Sequence, residues 1–158
     1  MKSVGVIGLG DMGSGLAKNL IKNGFETFGY DLLPERMKDL QGIGGKPAGD
    51  IANFATIVDA IFIMVMNGNQ VKSILFGENG LIKLMQPGSA VILTSTIKPK
   101  EAHEIGVLME GSGIHFIDTP VSGGYSGAQQ GTLTMMASAP ADILAQFKPV
   151  LTAVSATI

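Results

Sequence analysis

Short apolar runs alternate with amphipathic stretches along almost the whole chain. That rhythm predicts strands buried on both faces of a sheet and joined by helices. Val4–Ile7 is the first such run. Met12–Asn23 follows as a helix, with Leu16, Ala17, Leu20 and Ile21 at helical spacing and Gly24 as its stop. Thr27–Tyr30 reads as a second strand, Pro34–Leu40 as a helix with proline in its first turn, and Ala48–Phe54 as a short helix. The run Ala60–Met66 predicts a central strand, and Gln70–Phe76 a helix ended by Gly77. Next come a strand at Ala90–Leu93, a helix over Lys98–Glu110 with Pro99 in its first turn, and a strand at Ile114–Ile117. Leu133–Ala137 reads as a strand and Ala141–Ala153 as a helix with Pro149 late in it. Ser155–Ile158 has the pattern of a further strand that only begins, so the expectation is a piece of a longer protein. Repeated β-α units of this kind specify the α/β class, with a doubly wound, mostly parallel sheet and helices on both faces.

Composition removes several functional classes. Of 158 residues, 46% are hydrophobic and 15% charged, which excludes a disordered chain and gives one domain enough apolar material for a core. No cysteine is present, so a disulfide scaffold, a thiolate metal site and a cysteine nucleophile are excluded. A net charge of −2, with both signs interspersed, argues against nucleic acid or a membrane surface as partner. Residues 4–9 are too short and glycine-rich for a secretory signal, and residues 60–66 fall far below the ~20 needed to span a bilayer. The expectation is a soluble, cytoplasmic protein. The 22 glycines are about twice the usual ~7% share, which signals tight turns or backbone brought close to a ligand.

The glycines are placed with purpose at the first strand–helix junction. Gly8, Gly10 and Gly13 form G-x-G-x-x-G, the spacing in which one glycine allows a tight turn, one lets a pyrophosphate approach the backbone, and one permits close helix–strand packing. The helix start beyond them offers unpaired N–H groups to phosphates. A glycine turn alone is a weak signal. Asp31 strengthens it, because it ends the second predicted strand 18 residues after Gly13, where a carboxylate for the adenosine ribose belongs. The fold expected is therefore Rossmann-type. A carboxylate at that place accepts hydrogen bonds from ribose hydroxyls and repels a 2′-phosphate, and Leu32 and Leu33 beside it offer a phosphate nothing. NAD is favoured over NADP, with Arg36 read as a solvated residue of the next helix.

Three longer stretches carry a family resemblance. Gly8-Leu9-Gly10-Asp11-Met12-Gly13-Ser14-Gly15-Leu16-Ala17-Lys18-Asn19-Leu20 resembles the opening of the β-hydroxyacid dehydrogenases, the group that includes 3-hydroxyisobutyrate and 6-phosphogluconate dehydrogenases. Ser95-Thr96-Ile97-Lys98-Pro99 is a second match. Asp118-Thr119-Pro120-Val121-Ser122-Gly123-Gly124, with Gly127-Ala128 and residues 131–136 after it, is a third. The matches are in family order and cover nearly the whole chain. The resemblance implies that Gly8, Leu9, Gly10, Asp11, Met12 and Gly13 wrap the pyrophosphate and that Asp31 holds the adenosine ribose. It implies that Val65 and Met66 line the cofactor pocket, with Gln70 and Thr96 toward the nicotinamide end. Ser122, Gly123 and Gly124 would hold a substrate carboxylate. Residues 65–67, Gln70-Val71, residues 75–80 and Met135-Met136-Ala137-Ser138 look like the L-threonate dehydrogenase branch.

The resemblance also implies a second, all-helical domain carrying a catalytic lysine beyond residue 158, so residues 1–158 would be the N-terminal dinucleotide-binding domain. Neither Lys98 nor Lys100, which flank Pro99, lies in such a motif, and His103 and His115 have no carboxylate at relay or metal spacing. Asp118 and Glu101 likewise form no acid–base pair. No metal is expected. The implied parent enzyme transfers hydride between NAD and a small hydroxyacid and forms a homo-oligomer through that second domain. The competing reading is a non-catalytic NAD(H)-binding sensor or interaction module. A flavin or S-adenosylmethionine domain leaves Thr96 and residues 122–124 unexplained.

Overall fold

The computed structural model describes residues 1–158. Strand β1 (Ser3–Ile7) leads into helix α1 (Asp11–Lys22), and β2 (Glu26–Tyr30) into α2 (Pro34–Gly42). A two-residue strand β3 (Lys46–Pro47) and the single turn α3 (Ala52–Ala55) follow, then β4 (Ala60–Ile63), α4 (Gly68–Phe76) and the one-turn α5 (Leu81–Leu84). The chain continues through β5 (Ala90–Leu93), α6 (Pro99–Met109), β6 (His115–Asp118) and β7 (Val121–Ser122). It ends with α7 (Gly124–Gln130), β8 (Leu133–Met135), α8 (Ala141–Val154) and β9 (Ser155–Thr157).

The main sheet is six-stranded in the order β3-β2-β1-β4-β5-β6, and every neighbouring pair is parallel. The chain starts in the middle, winds outward to β3 and returns to the other side of β1 at β4. That reversal opens a crevice at the carboxyl ends of β1 and β4, where open α/β sheets bind ligands. The doubly wound class expected from the apolar rhythm is the one found.

Alternate residues of the central strands serve opposite faces of the sheet. Ala60 and Phe62 of β4 join Val4, Val6 and Ile92 under α1 and α8, packed on Leu16, Leu20, Phe147 and Leu151. Ile61 and Ile63 face the other way with Ile7, Val91 and Leu93, against Phe54, Val71, Leu75 and Ile105. Strands covered on both sides need apolar side chains at every position, which is why they read as unbroken runs.

Several expected boundaries move. The run 60–66 leaves the sheet after Ile63, and Met66 is 84% exposed in the turn that follows. Helix α4 starts at Gly68, before the expected Gln70, because the Asn67 side chain caps it by accepting the Gln70 N–H at 3.0 Å. The helix expected over 48–54 shrinks to the single turn α3. The strand expected over 133–137 closes at Met135 and belongs to a separate three-stranded sheet, β7-β8-β9. Ser155–Thr157 completes that sheet as a parallel neighbour of β8, while β7 pairs with β8 antiparallel.

Candidate functional site

Residues 8–13, 31–33, 64–67, 94–98 and 119–120 all leave the carboxyl rim of the main sheet. The three fingerprint glycines have three different physical reasons to be there. Gly8 has φ +89°, and a Cβ on it would strike the Met64 carbonyl; its N–H donates to the Tyr30 carbonyl at 2.9 Å. A Cβ on Gly13 would strike the Gly8 carbonyl. The three atoms nearest a Cβ on Gly10 all belong to the Arg36 guanidinium, at 3.7 Å, an ordinary contact distance. The turn is therefore closed at its two ends and open in its middle, the cradle that an approaching pyrophosphate needs. Leu9 turns its side chain into the core, 3% exposed, and commits its N–H to Asp31. Asp11 is exposed and Met12 half-buried at the start of α1.

Asp31 sits at the end of β2 with a side chain only 7% exposed. One carboxylate oxygen, Oδ2, accepts the Leu9 N–H at 2.7 Å, and Oδ1 accepts the Leu33 N–H at 2.9 Å. Arg36 Nη1 donates to both, at 3.2 and 3.4 Å. Burial pushes the Asp31 carboxyl up, but the Leu33 and Leu9 N–H groups together with the Arg36 guanidinium outweigh it and hold the group below its ordinary value. Arg36 is thus ion-paired at the mouth of the glycine turn. It is not the freely solvated helix residue its position suggested.

The β4 and β5 ends are locked together by hydroxyls. Ser95, 1% exposed, accepts the Val65 N–H at 2.8 Å and lies within 3.2 Å of the Ile63 carbonyl, to which the Thr94 hydroxyl donates at 2.9 Å. The Gln70 side chain accepts the Met66 N–H at 2.8 Å. Val65, Met66, Gln70 and Thr96 therefore flank one rim segment, with Met66, Gln70 and Thr96 exposed.

Ser122, Gly123 and Gly124 are exposed, and the two glycines have φ +130° and +58°, values that L side chains rarely adopt. The loop leads into α7, which is bound to α1. Asn19 of α1, 3% exposed, donates to the carbonyls of Gly15, Ala128 and Gln129 at 2.9, 2.8 and 3.3 Å. Gln129 reaches back to the Asp11 carbonyl at 3.3 Å and the Ser14 hydroxyl at 3.2 Å. A Cβ on Gly15 would come within 2.6 Å of the Ala128 backbone, so the helices touch at main-chain distance. Upstream of the loop, burial pushes the Asp118 carboxyl up, and Thr119 carries a buried hydroxyl oxygen with no hydrogen-bond partner.

A family model described as the NAD binding domain of 6-phosphogluconate dehydrogenase matches residues 3–158. The chain belongs to this family. It is 37% identical over 157 residues to an L-threonate dehydrogenase of Cupriavidus necator, covering 99% of this chain and 53% of that protein. It is 39% identical over 133 residues to the mitochondrial 3-hydroxyisobutyrate dehydrogenase of Rattus norvegicus, covering 84% of this chain and 40% of that protein. The crystal structure of a 3-hydroxyisobutyrate dehydrogenase from Salmonella typhimurium matches with a TM-score of 0.93 at 40% identity, over 99% of this chain and 55% of that one. The chain spans about half the length of the relatives it matches.

As an NAD-binding domain, the chain uses residues that sequence reasoning overlooked. Ser95, Asn19 and Gln129 position the rim, and each stands next to or within a stretch that carried the family resemblance. Asn19 alone carried a signal, a polar side chain among the apolar positions of its helix, whereas Ser95 and Gln129 stand among other polar residues. A surface cavity of about 390 Å³, lined in part by Met1, Ile57, Asp59 and Gln86, lies at the opposite rim of the sheet. No helix of the chain is long and apolar enough to cross a membrane.

Proposed function

We propose that this chain is the cofactor-binding half of an NAD-dependent β-hydroxyacid dehydrogenase whose substrate is a small hydroxyacid, L-threonate or one resembling 3-hydroxyisobutyrate. The observation that carries the reading is the glycine turn, closed at Gly8 and Gly13 and open at Gly10, with the Asp31 carboxylate beside it. When bound, the nicotinamide supplies hydride transfer to or from the hydroxyl-bearing carbon. The chain's own work is binding and orientation. Backbone at Gly10, Asp11 and Met12 seats the pyrophosphate, and Asp31 takes the ribose hydroxyls. Val65, Met66, Gln70 and Thr96 border the nicotinamide end, and Ser122 with the N–H groups of Gly123 and Gly124 receives the substrate carboxylate. The catalytic lysine of the family would lie beyond residue 158, in the helical domain through which the parent enzyme also forms its oligomer. The setting proposed is the cytoplasm. Titration of the chain with NADH, followed by calorimetry, tests the reading; saturable binding supports it, and a flat titration of folded protein removes it.

A further inference from the structure

We propose that Arg36 is a specificity-determining residue of the dinucleotide site: it caps the Asp31 carboxylate against ribose hydroxyls and offers its guanidinium to a ribose 2′-phosphate. It thereby narrows the preference for NADH over NADPH. The inference rests on residues 8–13 and Asp31 being the dinucleotide site.

An ionised carboxylate has about four lone-pair sites. In Asp31 all are engaged, by the N–H groups of Leu9 and Leu33 and by Arg36 Nη1, which bridges both oxygens. A ribose diol needs two of those sites, so some donor must leave. The backbone donors are fixed, since Leu9 is anchored in the core and Leu33 is the residue from which α2 starts. Arg36 makes the longest contacts, 3.2 and 3.4 Å, through a single nitrogen, and its side chain is 41% exposed. It is the donor that yields.

The same side chain covers the pyrophosphate approach. Its Cζ, Nη1 and Nη2 are all 3.7 Å from the place a Gly10 Cβ would take, so the guanidinium lies face-on to that glycine. NADH thus has to separate an ion pair and clear the turn, and it returns no anion to the guanidinium at the ribose. A 2′-phosphate returns one, with oxygens matched to the planar fork of arginine. Arg36 is tethered on the first turn of α2, five residues from Asp31, and stays within reach of any group held there. Leu32 and Leu33, 81% and 42% exposed, supply no competing polar side chain.

The test is calorimetric titration of the unmodified chain, Arg36→Ala and Arg36→Gln with NADH and NADPH. Adenosine 5′-monophosphate and adenosine 2′,5′-bisphosphate serve as probes free of the nicotinamide. Removal of the guanidinium moves the two cofactors in opposite directions, NADH tighter and NADPH weaker. Each shift is about three- to tenfold, the range left after solvent screening of a half-exposed charge. The 2′-phosphate arm shrinks as ionic strength rises. Arg36→Lys keeps the charge without the fork and falls between, which also covers the case of an alanine variant that does not fold. Shifts in the same direction, or none, overturn the role of Arg36 and leave the dinucleotide reading intact. Failure of the unmodified chain to bind either cofactor overturns both.

Discussion

Gly10 and Gly13 stand three residues apart in one motif, yet a methyl group at each meets opposite surroundings. At Gly13 it collides with the Gly8 carbonyl, and the backbone has to move; at Gly10 the nearest atoms are those of the Arg36 tip, at an ordinary contact distance. Gly13→Ala should therefore lower stability by about 1–3 kcal/mol or more, the cost of overpacking a tight contact. Gly10→Ala should keep its melting temperature within a few degrees and bind NADH at least about tenfold more weakly, since its Cβ stands where the pyrophosphate approaches. Thermal melts and titrations of the two variants separate these effects, and equal melting temperatures would contradict the assignment. Asp31 adds a pH dependence. It and Asp59, whose carboxylate accepts the Lys2 and Ser3 N–H groups at 2.6 and 3.1 Å, are both held below their ordinary value; burial alone would raise each, and the N–H donors outweigh it. A depressed carboxyl stabilises the fold fully above the unfolded-state value and loses that contribution as pH falls through the folded one. Asp118, pushed up by burial, works with the opposite sign and regains stability on protonation, at higher pH than the other two. Denaturant midpoints should therefore hold down to about pH 4 and fall below it. A midpoint unchanged from about pH 5 to about pH 2.5 would refute this.

At the scale of elements, the joint between α1 and α7 decides whether the loop 122–124 is held near the glycine turn. Asn19 supplies its donors, and replacing it with alanine removes the donor from the Gln129 carbonyl and leaves the Ala128 carbonyl with the long Gly131 N–H contact at 3.4 Å, at a cost of about 1–3 kcal/mol. Hydrogen exchange should rise selectively across residues 122–130, and uniform protection there would show that the joint is carried by packing alone. This joint also marks where the sequence stopped being legible. The helices and strands expected from periodicity are largely present, because a run such as Ala90–Leu93 encodes its burial locally. Helix α7, with the sequence Gly-Tyr-Ser-Gly-Ala-Gln-Gln, has glycine where propensity wants alanine, and reads as a turn. Its helical state comes from α1, whose Gly15 admits the Ala128 backbone, a partner more than a hundred residues away. Strand β3 is two residues with a proline at the sheet edge, too short for any period. Met66 extends an apolar run but leaves the sheet, since period cannot tell a buried strand end from an exposed turn. In the candidate site, Gly8, Gly10, Gly13 and Asp31 are legible by their spacing, whereas the Asp31–Arg36 pairing depends on the angle at which α2 leaves β2.

For the molecule as a whole, several groups that could take a proton are either at the far rim of the sheet or already engaged. His115 is the first residue of β6, so it lies at the rim opposite the glycine turn, with its ring against Phe147 at 6.0 Å. Asp31 is engaged by Leu9, Leu33 and Arg36, and Glu101 accepts the Lys98 N–H at 3.0 Å at the start of α6. Glu104 pairs with Lys72 at 2.9 Å on the surface. Oxidation of a hydroxyl-bearing carbon needs a base for the hydroxyl proton, a contribution of about 10²–10⁴-fold. It also needs the substrate fixed against the nicotinamide, the role proposed for residues 122–124. This chain should therefore bind NADH and yet produce none from NAD with L-threonate or 3-hydroxyisobutyrate. Absorbance at the NADH band, followed over hours at high protein concentration, is the measurement. Steady NADH production would place the base within residues 1–158, and Lys98 and Lys100 would be the residues to replace first. They follow β5 at the same rim as Thr96, a position His115 does not share.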